Sequence, residues 1–186
     1  MRKLIFQAIT SVDGFFEGPN KEIDWHNVDE EFNNYAIDFL NELDLLLFGR
    51  VTYELMVSYW PKPDAIKNDP IVASKMNGLS KVVFSTTMQK ADWNNTLLIK
   101  ENIAEEVKIL KHQPGKDIAI LGSSDLAVSL IEHDLVDEFR ICIDPLVLGN
   151  GKPLFQGMNR RFELTLIKTR EFRSGNVLLY YKPGDK

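Results

Sequence analysis

Leu45-Leu46-Leu47-Phe48-Gly49-Arg50-Val51-Thr52-Tyr53-Glu54 is the stretch that decides the fold. Four consecutive apolar residues read as a buried strand. Gly49 follows at once, where the chain must turn tightly, and Arg50, Thr52 and Glu54 open a helical run through Met56, Tyr59 and Trp60. A helix that starts at the end of a strand points unpaired N–H groups outward, and those groups bind anions. Gly49 allows close backbone approach, Arg50 adds a fork of donors, and Thr52 adds a hydroxyl. The stretch reads either as a phosphate cradle or as a plain strand-to-helix turn with a surface arginine.

Strands and helices alternate on both sides of it. Leu4 to Ile9 reads as a strand, followed by an irregular loop through Trp25 to Asn27. A loop that long, carrying an aromatic residue and several carboxylates, is more often functional than a mere connection. Phe32, Tyr35, Ala36, Phe39, Leu40 and Leu43 then fall on one helical face, with Asp29 placed as N-cap. Residues 61–80 are polar and Pro-punctuated, with a short helix around Ile71 to Met76. Further strands are expected at 81–84, 96–99, 117–121 and 136–143, with helices around Val107 and Leu126. Phe162 to Phe172 and Asn176 to Tyr181 form a terminal hairpin around Ser174-Gly175.

This alternation predicts a three-layer α/β fold, with a mostly parallel central sheet and an antiparallel C-terminal hairpin. Ligands on such sheets gather at the carboxyl ends of strands. Three strands end in candidate phosphate binders: Gly49-Arg50, Ser85-Thr86-Thr87 and Gly122-Ser123-Ser124.

Composition narrows the function classes. The 186 residues suggest a single domain over 1–186, and 44% hydrophobic with 26% charged residues is an ordinary soluble mixture. A net charge of −5 disfavours general binding to nucleic acid or a membrane surface. No apolar run approaches the roughly 20 residues of a membrane span. The single cysteine, Cys142, lies in an apolar strand, reads as a packed thiol and fits a reducing cytoplasm. His26, His112 and His133 are scattered without metal-ligand spacing, so no metal is expected.

Ser11-Val12-Asp13-Gly14, Gly49 to Glu54, Leu121-Gly122-Ser123, Leu135-Val136-Asp137-Glu138 and Pro145 to Phe155 together carry a resemblance. Through them nearly the whole chain resembles the dihydrofolate reductase-like superfamily, most closely its branch containing the reductase domain of bacterial riboflavin biosynthesis. The resemblance implies hydride transfer from NADPH to a small heterocycle, aminopyrimidine- or pterin-like. It places Gly49, Arg50 and Thr52 on the cofactor's phosphates, and Ser85 and Thr86 near the adenosine 2′-phosphate. Gly122, Ser123 and Ser124 would pack against the pyrophosphate; the family often has two adjacent glycines there, and this chain has Gly122-Ser123. Arg50 is expected to favour NADPH over NADH.

On the substrate side, Asp24 and Trp25 are candidate binders, and Asp13, Asp29 and Glu31 are candidate catalytic acids. Each has a plainer reading: a turn for Asp13, an N-cap for Asp29, a helix-start charge for Glu31, a loop anchor for Trp25. A nucleotide-binding or sensing protein that keeps the cradle without turnover stands as the alternative to an enzyme. The late strands, from Leu164 to Tyr181, carry more apolar surface than one sheet face needs, and a homodimer is expected. The zinc-ligand residues of the pathway enzyme's usual deaminase domain are absent from this chain.

Overall fold

The computed structural model describes residues 1–184; the last two residues of the expected 1–186 domain lie outside the described ones. An eight-stranded sheet runs through the chain in the order β5-β4-β3-β6-β1-β7-β10-β9. Its strands are β1 (Leu4–Ser11), β3 (Leu43–Gly49), β4 (Ser80–Phe84), β5 (Thr96–Ile99), β6 (Asp117–Leu121), β7 (Glu138–Asp144), β9 (Leu164–Glu171) and β10 (Val177–Pro183). The first six in space are parallel to their neighbours; β10 pairs antiparallel with both β7 and β9. The expected terminal hairpin is therefore β9-β10. Two short strands, β2 (Phe15–Glu17) and β8 (Lys152–Pro153), form a separate ribbon over the loop region.

Alternation along the strands builds the three layers. Leu45 and Leu47 of β3, Ile118 and Ile120 of β6, and Leu4 and Phe6 of β1 face α5 (Ile103–His112) and α6 (Ser124–Glu132). Leu46 and Phe48, Ala119 and Ile5 face the other way, onto α1 (Glu30–Asn41), α2 (Arg50–Tyr59) and α4 (Pro70–Gly78). Burial on both faces requires apolar residues at every position, which is why these parallel strands read as continuous apolar runs.

Polar groups hold the frame at defined points. Asp29 caps α1: its carboxylate accepts the Phe32 N–H at 2.8 Å. Arg140, buried under α1, donates to Glu138 at 2.8 Å and to Glu42 at 2.9 Å. Asp144 is fully buried and accepts the Asn27 N–H at 2.7 Å and the Asn176 amide at 2.6 Å. It thereby pins the long loop after β1 to the β9-β10 turn. Cys142 is a packed core thiol, pushed up to about 12 by burial and by Asp144.

The Pro-punctuated stretch holds two helices, α3 (Pro63–Asn68) and α4, where one short helix was expected. Proline sits at the start of each, where its missing N–H has no partner to lose. No helix among the described residues is long and apolar enough to cross a membrane.

Replacing Asp29 by alanine removes the cap of α1 and should lower stability by about 1 kcal/mol. Urea unfolding of the two proteins measures it.

Candidate functional site

β3 and β6 are neighbours and parallel, yet the chain leaves them on opposite faces of the sheet. After β3 it enters α2, whose Tyr53 packs in one core layer; after β6 it enters α6, whose Leu126, Leu130 and Ile131 pack in the other. Such a divergence opens a crevice at the strands' carboxyl ends. Two adjoining cavities occupy it.

The first, of about 430 Å³, is polar at its floor: Gly49, Arg50, Thr52, Ser123, Ser124 and Asp125 line it, with Lys21 and Lys152 at the side. The starts of α2 and α6 meet there. Gly49 N–H donates to Ser123 Oγ at 3.1 Å, and Ser123 N–H donates to Thr52 Oγ1 at 3.2 Å. Neither helix start has a side-chain cap, so further N–H groups face the cavity without protein partners. Ser124 Oγ is buried and has no hydrogen-bond partner. Arg50 stands at the rim, paired with Glu54 at 3.0 Å. The turn after β6 is bent by Gly122 (φ +60°) and Ser123 (φ +48°), and a Cβ on Gly122 would lie 3.3 Å from Phe16. Gly49 differs from expectation: its φ of −78° is open to any residue. A Cβ there would meet only Leu126 at 3.8 Å, so the turn itself does not need glycine.

The second cavity, of about 400 Å³, is apolar. Ile9 of β1, Phe32, Ala36 and Phe39 of α1, and Leu55, Met56 and Trp60 of the α2 region are among its walls. Phe16, Glu17, Lys21, Val51 and Thr52 line both cavities, so the two form one cleft. Its polar groups beyond that junction include Gln7, His26 and Asn33. Tyr35, kept protonated because burial raises its pKa, donates its hydroxyl to Gln7 Oε1 at 2.8 Å. Asn33 donates to Asp69 at 3.1 Å. His26 is held neutral, because burial pushes its imidazole down to about 4, and its Nε2 has no hydrogen-bond partner.

The residues singled out in the sequence divide accordingly. Gly49, Arg50, Thr52, Ser123 and Ser124 come together at the first cavity, and Gly122 lines the second beside them. Ser85 and Thr86 follow β4 outside the residues that line either cavity; the Ser85 hydroxyl accepts the N–H groups of Thr87 and Met88 at 3.2 and 3.1 Å. Asp13, Asp29, Glu31, Asp24 and Trp25 also lie outside both linings. Asp13 accepts the N–H groups of Leu148 and Gly149 at 3.1 and 2.8 Å, with its pKa lowered by the Ser11 hydroxyl first and by those amides. Glu31 accepts the Arg173 N–H at 3.0 Å. Trp25 donates its indole N–H to the Glu22 carbonyl at 3.2 Å, and Asp24 is exposed. Gln7, Phe16 and His26 were missed. Only Gln7 left a signal, as the one polar residue inside the apolar run of β1.

The profile of the RibD C-terminal domain family matches residues 2–178. The chain belongs to that family. YyaP of Bacillus subtilis (strain 168) is 40% identical over 180 residues, which are 97% of this chain and 94% of YyaP. Among solved structures, a putative riboflavin biosynthesis protein from Shewanella sp. PV-4 has a TM-score of 0.75 at 22% identity, covering 98% of this chain and 99% of its own. A diaminohydroxyphosphoribosylaminopyrimidine deaminase/5-amino-6-(5-phosphoribosylamino)uracil reductase from Thermotoga maritima has a TM-score of 0.69 at 12% identity. This RibD-family chain matches 57% of that longer one. The shared architecture is the dihydrofolate reductase-like fold, and the family is reductase-related.

Unfolding exposes His26 to water, where it takes up a proton near pH 6.5, whereas the folded chain resists protonation until about 4. The unfolded state binds more protons in that window, so His26 makes stability fall as pH drops from 6.5 towards 4. The melting temperature of His26→Phe should therefore decline less than that of the wild type between pH 7 and pH 5.

Proposed function

We propose that this RibD-family chain is an NADPH-dependent reductase that transfers a hydride to a small heterocycle, pyrimidine- or pterin-like. The observation that carries it is the buried, partnerless Ser124 hydroxyl at the meeting of two uncapped helix starts. A phosphate there would receive amide N–H groups from α2 and α6, the Ser124 hydroxyl, and the favourable end of two helix dipoles. Arg50, Lys21 and Lys152 add positive charge around it. The residues present thus fit a dinucleotide's phosphates, with Gly49, Thr52, Gly122 and Ser123 shaping the cradle.

NADPH, when bound, would supply a hydride, a hydrogen with its electron pair, to an electron-poor carbon of the substrate. Gly122 and Phe16, where the two cavities adjoin, would border the nicotinamide, and the apolar walls beyond them would hold the substrate ring. One proton completes the reduction. Glu17 is the carboxyl group at the junction of the two cavities and is the nearest candidate to deliver it, solvent at the mouth being the other source.

None of Asp13, Asp29 and Glu31 lines the cleft, and that favours a second reading: a nucleotide-binding protein without turnover. Steady oxidation of NADPH with any substrate would exclude it.

Ser124→Ala removes no protein hydrogen bond, so its melting temperature should match the wild type. Its NADPH affinity should fall roughly tenfold, the order expected for a hydrogen bond to a charged group. Arg50→Ala should weaken NADPH more than NADH if the guanidinium meets the 2′-phosphate, as we propose. Equal losses would place it on the pyrophosphate. Titration by nicotinamide fluorescence gives both answers.

We further propose a homodimer formed through β9. Leu166 and Ile167 are half exposed on this edge strand, at 52% and 50%, while Leu178 and Tyr180 of β10 are buried within the chain. Light scattering should give twice the 21.3 kDa chain mass, and Ile167→Glu should give a monomer.

A further inference from the structure

The walls of the apolar cavity say which heterocycles it admits. Its charged lining residues are Glu17 and Lys21, one of each sign, and both sit at the junction with the first cavity. Away from the junction the lining is aliphatic and aromatic, from Ile9, Phe32 and Phe39 to Met56 and Trp60. His26 carries no charge near neutral pH. Asn33, the polar residue that α1 contributes to this wall, is an amide, already committed to Asp69 at 3.1 Å. A phosphate or carboxylate drawn past Lys21 at the junction into the rest of this space would lose its water and meet no cation among the lining residues, and a cationic ring drawn past Glu17 would meet no anion.

Beyond the junction, Gln7 and His26 offer polar groups to a ligand from opposite sides. The Gln7 side chain lines the cavity from the centre of the sheet, and its Oε1 accepts from the Tyr35 hydroxyl, which burial keeps protonated. That fixes the amide and leaves the Nε2 hydrogens for an acceptor on the ligand. On the loop side, His26 Nε2 is buried and unpartnered. The adjacent residue, Asn27, is tied to Asp144 at 2.7 Å and to Ser174 at 3.2 Å, which holds His26 in place.

We propose that the substrate is an uncharged, planar heteroaromatic molecule without a phosphate, gripped by the apolar walls and oriented by Gln7 and His26. This rests on the reductase reading above and narrows it: a phosphoribosyl-bearing aminopyrimidine does not suit these walls. Lys152 and Arg50, the remaining cations of the cleft, line only the cavity assigned to the dinucleotide.

The test uses a matched pair of probes with the full chain and saturating NADP⁺, which cannot deliver a hydride. Lumichrome is an uncharged tricyclic ring system; flavin mononucleotide is a closely related ring system carrying a ribityl phosphate. Binding is followed by quenching of tryptophan fluorescence, to which Trp60 in the cavity wall contributes. Lumichrome should bind at least tenfold tighter than flavin mononucleotide. Gln7→Met and His26→Phe should each weaken lumichrome about three- to tenfold, the loss of one hydrogen bond, with NADP⁺ affinity unchanged. The wild-type comparison stands even if a variant folds poorly.

Equal or tighter binding of flavin mononucleotide would overturn the proposal, as would wild-type lumichrome affinity in both folded variants. Failure of both rings to bind while NADP⁺ does would overturn it and leave the reductase reading intact. Lumichrome binding with the expected preference but no NADP⁺ binding by calorimetry would instead overturn the reductase reading and support the cavity's ligand class.

Discussion

Two hydrogen bonds set the geometry on which the cleft depends. The Gly49 amide reaches the Ser123 hydroxyl, and the Ser123 amide reaches the Thr52 hydroxyl. They cross from the start of α2 to the turn before α6, two elements that pack on opposite faces of the sheet. Core packing holds each helix to its own face of the sheet, and this tie joins their starts across the strand ends. With it, the two uncapped helix starts border one cavity.

The floor and the roof of the cleft are stabilised by different physics. The floor is the parallel sheet, held by burial on both faces. The roof is the loop after β1, too polar to bury itself, and it is tied down at separate places. Asp144 fastens Asn27, Asp13 fastens the 148–149 backbone, and the β2-β8 ribbon joins Phe15 to Pro153. Gly151 makes that last pairing possible: a side chain there would collide with the Glu17 carbonyl. Asp144 makes its contacts at an energetic cost, since burial raises its pKa and disfavours the charged form.

The sheet was legible in the sequence because strands buried on both faces cannot hide: Leu45 to Phe48 and Ile118 to Leu121 are apolar at every step. The gathering of Gly49, Arg50, Thr52, Ser123 and Ser124 at one cavity was legible for the same reason, since those residues begin where the runs stop. Helix α3 was not, because prolines read as breakers although Pro63 and Pro70 sit where helices tolerate them. The substrate side was the least legible. Carboxylates crowd the loop and the first turn of α1, where Asp29 accepts the Phe32 N–H, while Glu31 accepts the Arg173 N–H from the β9-β10 turn. The groups that do face the apolar cavity, Gln7 and His26, come from a strand and a loop far apart in the chain's local patterns. Only Tyr35, one helix away from Gln7, makes the glutamine's orientation definite.

The two halves of the cleft have unequal room to diverge. In the half bordered by the starts of α2 and α6, main-chain amides persist through any side-chain substitution that leaves the helix start in place. In the apolar half most of the lining residues present side chains, supplied from β1, the roof loop, α1, the α2 region and α4, with Leu121 and Gly122 at the end of β6. Each can be exchanged singly, and each exchange reshapes the space without disturbing the sheet beneath. Substitutions in the apolar half can therefore reshape its space while the helix starts of the other half keep their main-chain groups, except at the five residues that line both.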